Sequence, residues 1–157
     1  MKIIQNQSQS QKFITFTVAD YWLALPIKAV FKVVTCPVGD DQKLNQMGLI
    51  QIGRHLIRVV DLHQYLSRET VNQLAKSQAF LLITPISQTE LCGILTYEPP
   101  DLIELSLEMM QPLSQSYYQS GLLEIVSHAV VVAQEKGTKT IFLLDLQLVL
   151  HHTISDG

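Results

Sequence analysis

The chain has 157 residues with a formal net charge of −3, and 47% of them are hydrophobic against only 16% charged. This length suits one domain that buries a core without a disulfide or a metal ion. No run of about 18 apolar residues is present, which argues against a membrane span. The start, Met1–Ile4, turns polar from Gln5 to Gln11, which argues against a signal peptide. We therefore expect a cytoplasmic protein, with Cys36 and Cys92 as buried thiols.

The first half of the chain predicts short strands joined by turns. Segments rich in β-branched and aromatic residues predict strands over 13–18, 21–27, 30–35, 49–52 and 55–60. Asp61 is placed to N-cap a short helix over 62–66. The polar connector Ser67–Gln78 predicts the boundary between the two halves.

The second half repeats this composition. It predicts strands over 79–84, 91–96, 122–126, 129–134 and 140–144, with Asp145 capping a helix over 146–151. Glu135–Thr138 predicts a hairpin turn. Residues 102–107 leave two interpretations open, because the alternation of Ile103, Leu105 and Leu107 favours a strand, while the spacing of Leu102, Leu105 and Met109 suits a helix. We prefer the strand.

Two phrases occur twice in the chain. The segment Gly48–His55 recurs with partial identity as Gly121–His128, and the segment Val59–Leu62 recurs with partial identity as Leu143–Leu146. The shared positions Gly48, Asp61, Gly121 and Asp145 are expected to have structural roles, as turn glycines and helix caps. About ten short strands at a spacing of about 8–12 residues predict antiparallel barrels or a sandwich. The duplication favours two small barrels, whose similar surfaces suit a connector better than a catalyst.

Charge is divided unevenly along the sequence. Residues 1–80 hold nine Lys and Arg against five Asp and Glu, and residues 81–157 hold two against nine. Two interpretations stay open. In the first, the charged residues simply lie on two solvent-exposed faces. In the second, the unlike charges favour head-to-tail docking of two such domains.

No constellation for catalysis or metal binding is found. His55 and His63 are eight residues apart, and the side chains of His151 and His152 point apart, so none of these predicts a metal site. Nucleophile elbows, phosphate-binding glycine loops and paired zinc histidines are missing from the sequence. We expect no enzyme activity, no metal and no cofactor.

A small-ligand barrel and a nucleic-acid-binding barrel are the alternatives. A local basic face could be formed by Lys28, Lys32, Arg54 and Arg58. Aromatic residues are only 7% and the net charge is negative, which argues against nucleic acid.

Several phrases, in order, resemble the CheW-like family over most of residues 13–150. They are Phe13–Phe16, Leu23–Ile27, Val30–Val33, Gly48–Ile52, Val59–Leu62 and Gly93–Leu95. The resemblance implies a mainly β fold of two five-stranded, SH3-like barrels around a shared core, with a short helix after each half. It implies a flexible tail over 1–12, a single domain over 13–152, and a tail over 153–157. The first barrel is expected mainly at 13–66 and the second mainly at 79–144, with exchange of strands between them.

The resemblance also implies a function. Family members are non-enzymatic adaptors that couple the tips of methyl-accepting chemoreceptors to a CheA-type histidine kinase, through the kinase's own CheW-like regulatory domain. Three positions depart from the family pattern: Lys32 replaces an acid, Gly53-Arg54 reverses the usual order, and Tyr97 stands where an acid is common. These departures suggest either a specialised pathway, such as pilus-driven motility, or a role outside chemotaxis. Candidate partner-binding residues are Ile27, Val30, Lys32, Gly53, Arg54, Arg58, Leu122, Leu123 and Ile125.

Overall fold

The computed structural model describes residues 9–36, 48–67, 78–113 and 121–153. These residues are mainly β, as predicted. The strands are β1 (Ser10–Val18), β2 (Tyr21–Pro26), β3 (Lys32–Thr35), β4 (Leu49–Ile52), β5 (His55–Val60), β6 (Phe80–Pro85), β7 (Leu91–Thr96), β8 (Asp101–Ser106), β9 (Gln111–Pro112), β10 (Val126–Gln134) and β11 (Gly137–Leu144). Two helices, α1 (Leu62–Ser67) and α2 (Leu146–Thr153), follow β5 and β11. Short 3₁₀ turns occupy Ile27–Ala29, Leu107–Met109 and Gly121–Glu124.

The strands form two curled sheets in two compact units. Unit 1 comprises residues 1–16, 20–27 and 101–157, and its sheet has the order β8-β1-β2-β11-β10-β9. Unit 2 comprises residues 17–19 and 28–100, and its sheet has the order β3-β6-β7-β5-β4. The sheets therefore have six and five strands, where five each were predicted. A core shared by the two barrels stays a prediction.

Each sheet contains strands from both predicted ranges, 13–66 and 79–144. Two parallel pairs cause this, because they join segments that are distant in sequence. β2 pairs with β11, with Trp22 opposite Ile141, and β5 pairs with β7, with Ile57 opposite Leu91. The predicted boundary at 67–78 is not a unit boundary, since β6 and β7, which follow it, lie in the same sheet as β3, β4 and β5.

Three local predictions also need correction or completion. Residues 10–12, assigned to the N-terminal tail, lie in β1, because main-chain pairing with β8 needs no apolar side chains. Residues 102–107 are a strand up to Ser106, as preferred, and Leu107 begins a 3₁₀ turn. The predicted strand over 122–126 is wrong, since a 3₁₀ turn precedes Val126. Residues 1–8 and 154–157 of the predicted tails lie outside the described residues.

Each unit has its own buried cluster. In unit 1 the cluster consists of Phe13, Ala24, Leu105, Val130, Ile141 and Leu143. In unit 2 it consists of Ile50, Ile57, Leu81, Ile83 and Leu95. Gly93 is closely packed in unit 2, because a Cβ there would lie 3.1 Å from Leu81 Cδ2 and 3.3 Å from Ile57 Cγ2, and these side chains would have to shift by a few tenths of an ångström. Val34 and Ile52, from the two edge strands of this sheet, both pack against the unit 2 cluster, which shows that the sheet curls.

The charge asymmetry is smaller between the structural units than between the sequence halves. Unit 1 holds four basic against eight acidic residues, a formal charge of −4, and unit 2 holds seven against six, a formal charge of +1. The reason is that the acidic segment after residue 100 folds with the N-terminal strands, and the acidic residues of 81–100 fold with the basic middle of the chain.

Candidate partner-binding surfaces

The first candidate surface lies on the edge strand β3 of unit 2. It consists of Phe31, Lys32 and Val33, and we call it the β3 surface. Phe31 is 65% exposed and Val33 is 38% exposed. The Lys32 Nζ lies 5.7 Å from the centroid of the Phe31 ring. Large apolar side chains beside a cation on a sheet edge are typical of a docking surface.

The alternation of side chains along β3 explains this exposure. Val34 and Cys36 pack against the buried cluster of unit 2, so Phe31 and Val33 point to the opposite face. The Phe31 amide donates a 2.7 Å hydrogen bond to the Ile83 carbonyl, which fixes the backbone next to the exposed ring. Burial raises the pKa of the Cys36 thiol, so this cysteine stays protonated at neutral pH.

The second candidate surface is the tight hairpin between β4 and β5. It consists of Gly53, Arg54 and Leu56, and we call it the hairpin surface. Gly53 has a φ of +61°, which favours glycine at this turn. Arg54 is exposed at the tip, and Leu56, opposite Gln51 in the ladder, is 56% exposed. The hairpin thus presents a cation and an apolar side chain together.

Arg58 shares the outward face of β5 with Leu56 but has a carboxylate neighbour. Its Nη2 atom lies 3.6 Å from Glu90 Oε2, and both side chains are about half exposed. An exposed ion pair of this kind is worth at most about 1 kcal/mol. A carboxylate from a partner can therefore replace Glu90 at little cost.

The β3 surface and the hairpin surface lie at opposite edges of the five-stranded sheet. In the strand order, β6, β7 and β5 come between β3, which carries Lys32, and β4. That Lys28, Lys32, Arg54 and Arg58 form one basic face stays a prediction. Two further candidates precede β3. Ile27 is 38% exposed at the end of β2, and Val30 is half-buried.

The candidates on the 3₁₀ turn of unit 1 are mostly buried. Leu122 is 9% exposed, Ile125 has no exposed surface, and Leu123 is half-buried. The Asp145 amide donates a 2.9 Å hydrogen bond to the Ile125 carbonyl, so this turn supports the start of α2. Because their side chains have little or no accessible surface, we remove Leu122 and Ile125 from the partner-binding set.

Both short helices are capped by aspartate. Asp61 Oδ1 accepts a 3.0 Å hydrogen bond from the His63 amide. Asp145 Oδ1 accepts bonds of 3.0 and 3.2 Å from the amides of Gln147 and Leu148. These hydrogen bonds satisfy amides that have no partner within the helix. Helix capping therefore explains why an aspartate stands at both positions.

A corner of unit 2 brings together Asp61, His63 and Tyr97 without forming a reactive group. His63 Nδ1 lies 3.4 Å from Asp61 Oδ1, and the His63 ring meets the Tyr97 ring edge-on at 4.8 Å. Burial, together with the negative charge of Asp61, raises the pKa of Tyr97, so the phenol stays protonated at neutral pH. Among the described residues, no group of three or more His, Cys, Asp or Glu side chains is arranged to hold a metal ion.

Sequence reasoning missed Phe31, Val33 and Leu56, the exposed apolar residues of both surfaces. One signal was present. In the segment 30–35, Val30 and Val34 share one face, so Phe31 and Val33 form a second apolar face. Apolar residues on both faces of a short strand indicate either burial on both sides or a docking surface, and sequence alone does not decide between them.

Comparison with known proteins identifies a family and a fold. The model of the CheW-like domain matches residues 12–153. The fold is similar to the crystal structure of the scaffolding protein TtCheW from Thermoanaerobacter tengcongensis, with a TM-score of 0.66 and 17% sequence identity, over 96% of this chain and 94% of that chain. No curated protein sequence gives a significant match. Over the described ranges, none of the helices has the length and hydrophobicity to cross a membrane.

Proposed function

The chain belongs to the CheW-like family, and from this premise we propose that it is a non-enzymatic adaptor in chemotaxis-type signal transduction. In this role it links the tip of a chemoreceptor to the regulatory domain of a CheA-type histidine kinase in the cytoplasm. One observation carries the proposal: unit 2 presents two exposed surfaces, each apolar and basic, at opposite edges of one sheet. An adaptor must hold two partners at once, and two separated surfaces meet that requirement.

The β3 surface has the composition of a binding hot spot, the small part of an interface that contributes most of the binding energy. Exposed aromatic side chains dominate binding energy when a partner covers them, and Phe31 is the most exposed large apolar residue among those described. An edge strand such as β3 also offers main-chain groups for pairing with an extended segment. Lys32, which replaces the usual acid of the family, favours a partner with a carboxylate at the matching position.

The hairpin surface supports a second and independent contact. The turn at Gly53 places the Arg54 guanidinium at the tip, where its planar donors suit a carboxylate. Leu56 adds apolar area on the adjacent strand. The reversal of Gly and Arg relative to the family pattern moves the charge by one position. This change supports the proposal that the partner is a kinase or receptor of a specialised pathway, such as one controlling pilus-driven motility.

A second candidate partner is another CheW-like domain, docked head to tail. The edge strand β8 of unit 1 and the turn after it carry Leu102 and Met109, 57% and 56% exposed, beside the exposed acids Asp101, Glu104 and Glu108. This acidic and apolar edge complements the basic and apolar surfaces of unit 2. Such contacts build rings or filaments and weaken with salt. A monomer at high concentration in sedimentation, with no change between low and high salt, would exclude them.

The test of the adaptor proposal is a pull-down with the purified full chain from its own cell extract, at low and high salt, read by mass spectrometry. We expect recovery of a histidine kinase and a chemoreceptor. The variants Lys32→Glu and Arg54→Glu should each lose one of these partners and retain the other. Lys136→Glu, an equal charge reversal on a hairpin of unit 1, is the matched control and should retain both. Recovery of neither partner, with a small molecule or nucleic acid bound instead, would support the alternative barrel functions.

A further inference from the structure

Unit 1 has a notch in its sheet where β11 extends past the start of β2. The ladder between these strands covers only Ile141–Leu143, paired with Trp22–Ala24. The preceding residues of β11, Gly137–Thr140, pair with β10 on one side. On the other side, the continued register places Tyr21 beside Thr140, and Gly137–Lys139 have no ladder partner among the described residues. β2 does not extend further along this edge because it begins directly after the turn from β1, which is formed by Ala19 and Asp20 with φ of +50° and +71°.

A cavity of about 350 Å³ occupies this notch, lined by residues from both strands. This volume lies at the lower end of the range of ligand sites. Three aromatic residues and one lysine line it: Tyr21, Trp22, Phe142 and Lys139. The site belongs entirely to unit 1 and includes none of the residues of the β3 surface or the hairpin surface.

Side chains from both faces of the sheet reach the notch. Trp22 packs against the buried cluster of unit 1, and Lys139 lies on the same face of the sheet, with Nζ 3.8 Å from the centroid of the Trp22 ring. On the opposite face, the Tyr21 and Phe142 rings meet edge-on with centroids 6.3 Å apart. A strand added at the notch would place alternate side chains against these two aromatic sites.

Lys139 gives the notch a charge preference. Unit 1 is acidic, and three lysines lie within its described residues: Lys12, Lys136 and Lys139. Lys12 lies opposite Glu104 in the β1–β8 ladder, and none of the three lysines has an ion pair within 4.0 Å among the described residues. The Lys139 ammonium is held over an indole ring, where cation–π attraction positions it without neutralising it. Asp20, which also lines the cavity, repels any acidic side chain that does not contact Lys139.

We propose that this notch binds an extended peptide of a partner protein by strand addition to Gly137–Lys139, with one acidic side chain against Lys139. The neighbouring side chains of the peptide are apolar and pack on Tyr21 and Phe142. The peptide has a single acid at the recognised position, because Asp20 repels another. This site adds a third contact to the chain, and its failure would leave the proposed adaptor role of unit 2 unaffected.

The test uses a positional-scanning library of N-acetylated, C-amidated pentapeptides with valine at two alternate positions, measured by fluorescence polarisation against the full chain. The wild type should select Glu or Asp at one position. Lys139→Glu should weaken the acidic peptides about fivefold and select Lys or Arg at the same position. Lys139→Gln should bind with no charge preference. Lys136→Glu, in the adjacent turn, is the matched control and should keep the wild-type selection.

Main-chain pairing is tested separately with the selected peptide. NMR spectra of the ¹⁵N-labelled chain should show shifts at the amides of 138–140 and at the Trp22 indole. N-methylation of the peptide bond that pairs with β11 should weaken binding about three- to tenfold. The proposal is overturned if no library member shifts these resonances at millimolar concentration, or if Lys139→Glu selects the same acids as the wild type.

Discussion

Two segments of the chain, 48–66 in unit 2 and 121–150 in unit 1, end in the same local structure. Each closes with a strand, a capping aspartate and a short helix. Each of these strands also pairs in parallel with a strand from elsewhere in its own unit, β5 with β7 and β11 with β2. The shared phrase around Asp61 and Asp145 therefore encodes one structure in both places.

The starts of the two segments differ. After Gly48 the chain enters β4, where Ile50 and Ile52 pack into the cluster of unit 2. After Gly121 it forms a 3₁₀ turn, where Leu122 and Ile125 are buried. The positions that pack inward are two residues apart in the strand and three apart in the turn, as each geometry requires.

This difference shows how much a short apolar phrase leaves open. The sequence pattern Gly-Leu-apolar-polar-Ile has apolar residues both two and three positions apart, so it is compatible with a strand and with a 3₁₀ turn. The partner strand decides between them. β4 pairs directly with β5 across a two-residue turn. In unit 1 the longer β10 takes that place beside β11 and begins at Val126, with a register shift between Val126 and His128.

The largest effect should come from truncating the isoleucine that the two segments share. Ile125→Ala should cost about 2–5 kcal/mol of unfolding free energy, because its side chain is fully buried. The matched change Ile52→Ala should cost clearly less, since Ile52 is only partly buried. Urea denaturation of both variants measures the difference. An equal or larger cost for Ile52→Ala would contradict the burial described for the two starts.

A smaller and equal effect is expected at the two glycines. Gly48 and Gly121 have φ of +76° and +66°, and a Cβ at either would meet nothing within 4 Å. Gly48→Ala and Gly121→Ala should therefore each cost about 1–2 kcal/mol through backbone strain alone. Asparagine tolerates this conformation better, so Gly48→Asn and Gly121→Asn should cost less in the same thermal or urea unfolding experiment. A neutral alanine variant at either site would show that the left-handed turn is not required.

The smallest effect is expected at the helix caps. Asp145→Ala should cost about 1 kcal/mol, because Asp145 accepts from two amides of α2. Asp61 accepts a hydrogen bond from the His63 amide of α1, one fewer than Asp145 accepts, so Asp61→Ala should cost less. Asparagine also caps, and both Asp→Asn variants should stay near wild-type stability. If Asn destabilises as strongly as Ala, the carboxylates act through something other than capping.

Much of the secondary structure follows from the sequence. The bounds of β4, β5 and β7 agree with the predicted ones, because tight turns and polar residues delimit each strand. The assignment of strands to sheets was not predictable in the same way. It depends on parallel pairs such as Trp22 with Ile141, and side-chain alternation along one strand carries no information about a partner more than 100 residues away.

The candidate surfaces were predictable only in part. Charged positions such as Lys32 and Arg54 are exposed, as their residue types suggest. The exposure of Phe31 and Leu56 was not predictable, because apolar residues in strands are usually buried and only the strand order reveals a free face. Conversely, the sequence predicts a strand over 122–126 and places Leu122 and Ile125 at a surface, whereas both side chains are buried.

An adaptor of this kind holds two different partners on two surfaces of unit 2. The most direct measurement is the binding of the purified chain and its Lys32→Glu, Arg54→Glu and Lys136→Glu variants to the recovered kinase regulatory domain and receptor tip, each alone, by calorimetry. Lys32→Glu should weaken one partner and Arg54→Glu the other, with Lys136→Glu unchanged for both. If both variants weaken the same partner, or neither weakens any, the two-surface adaptor is contradicted.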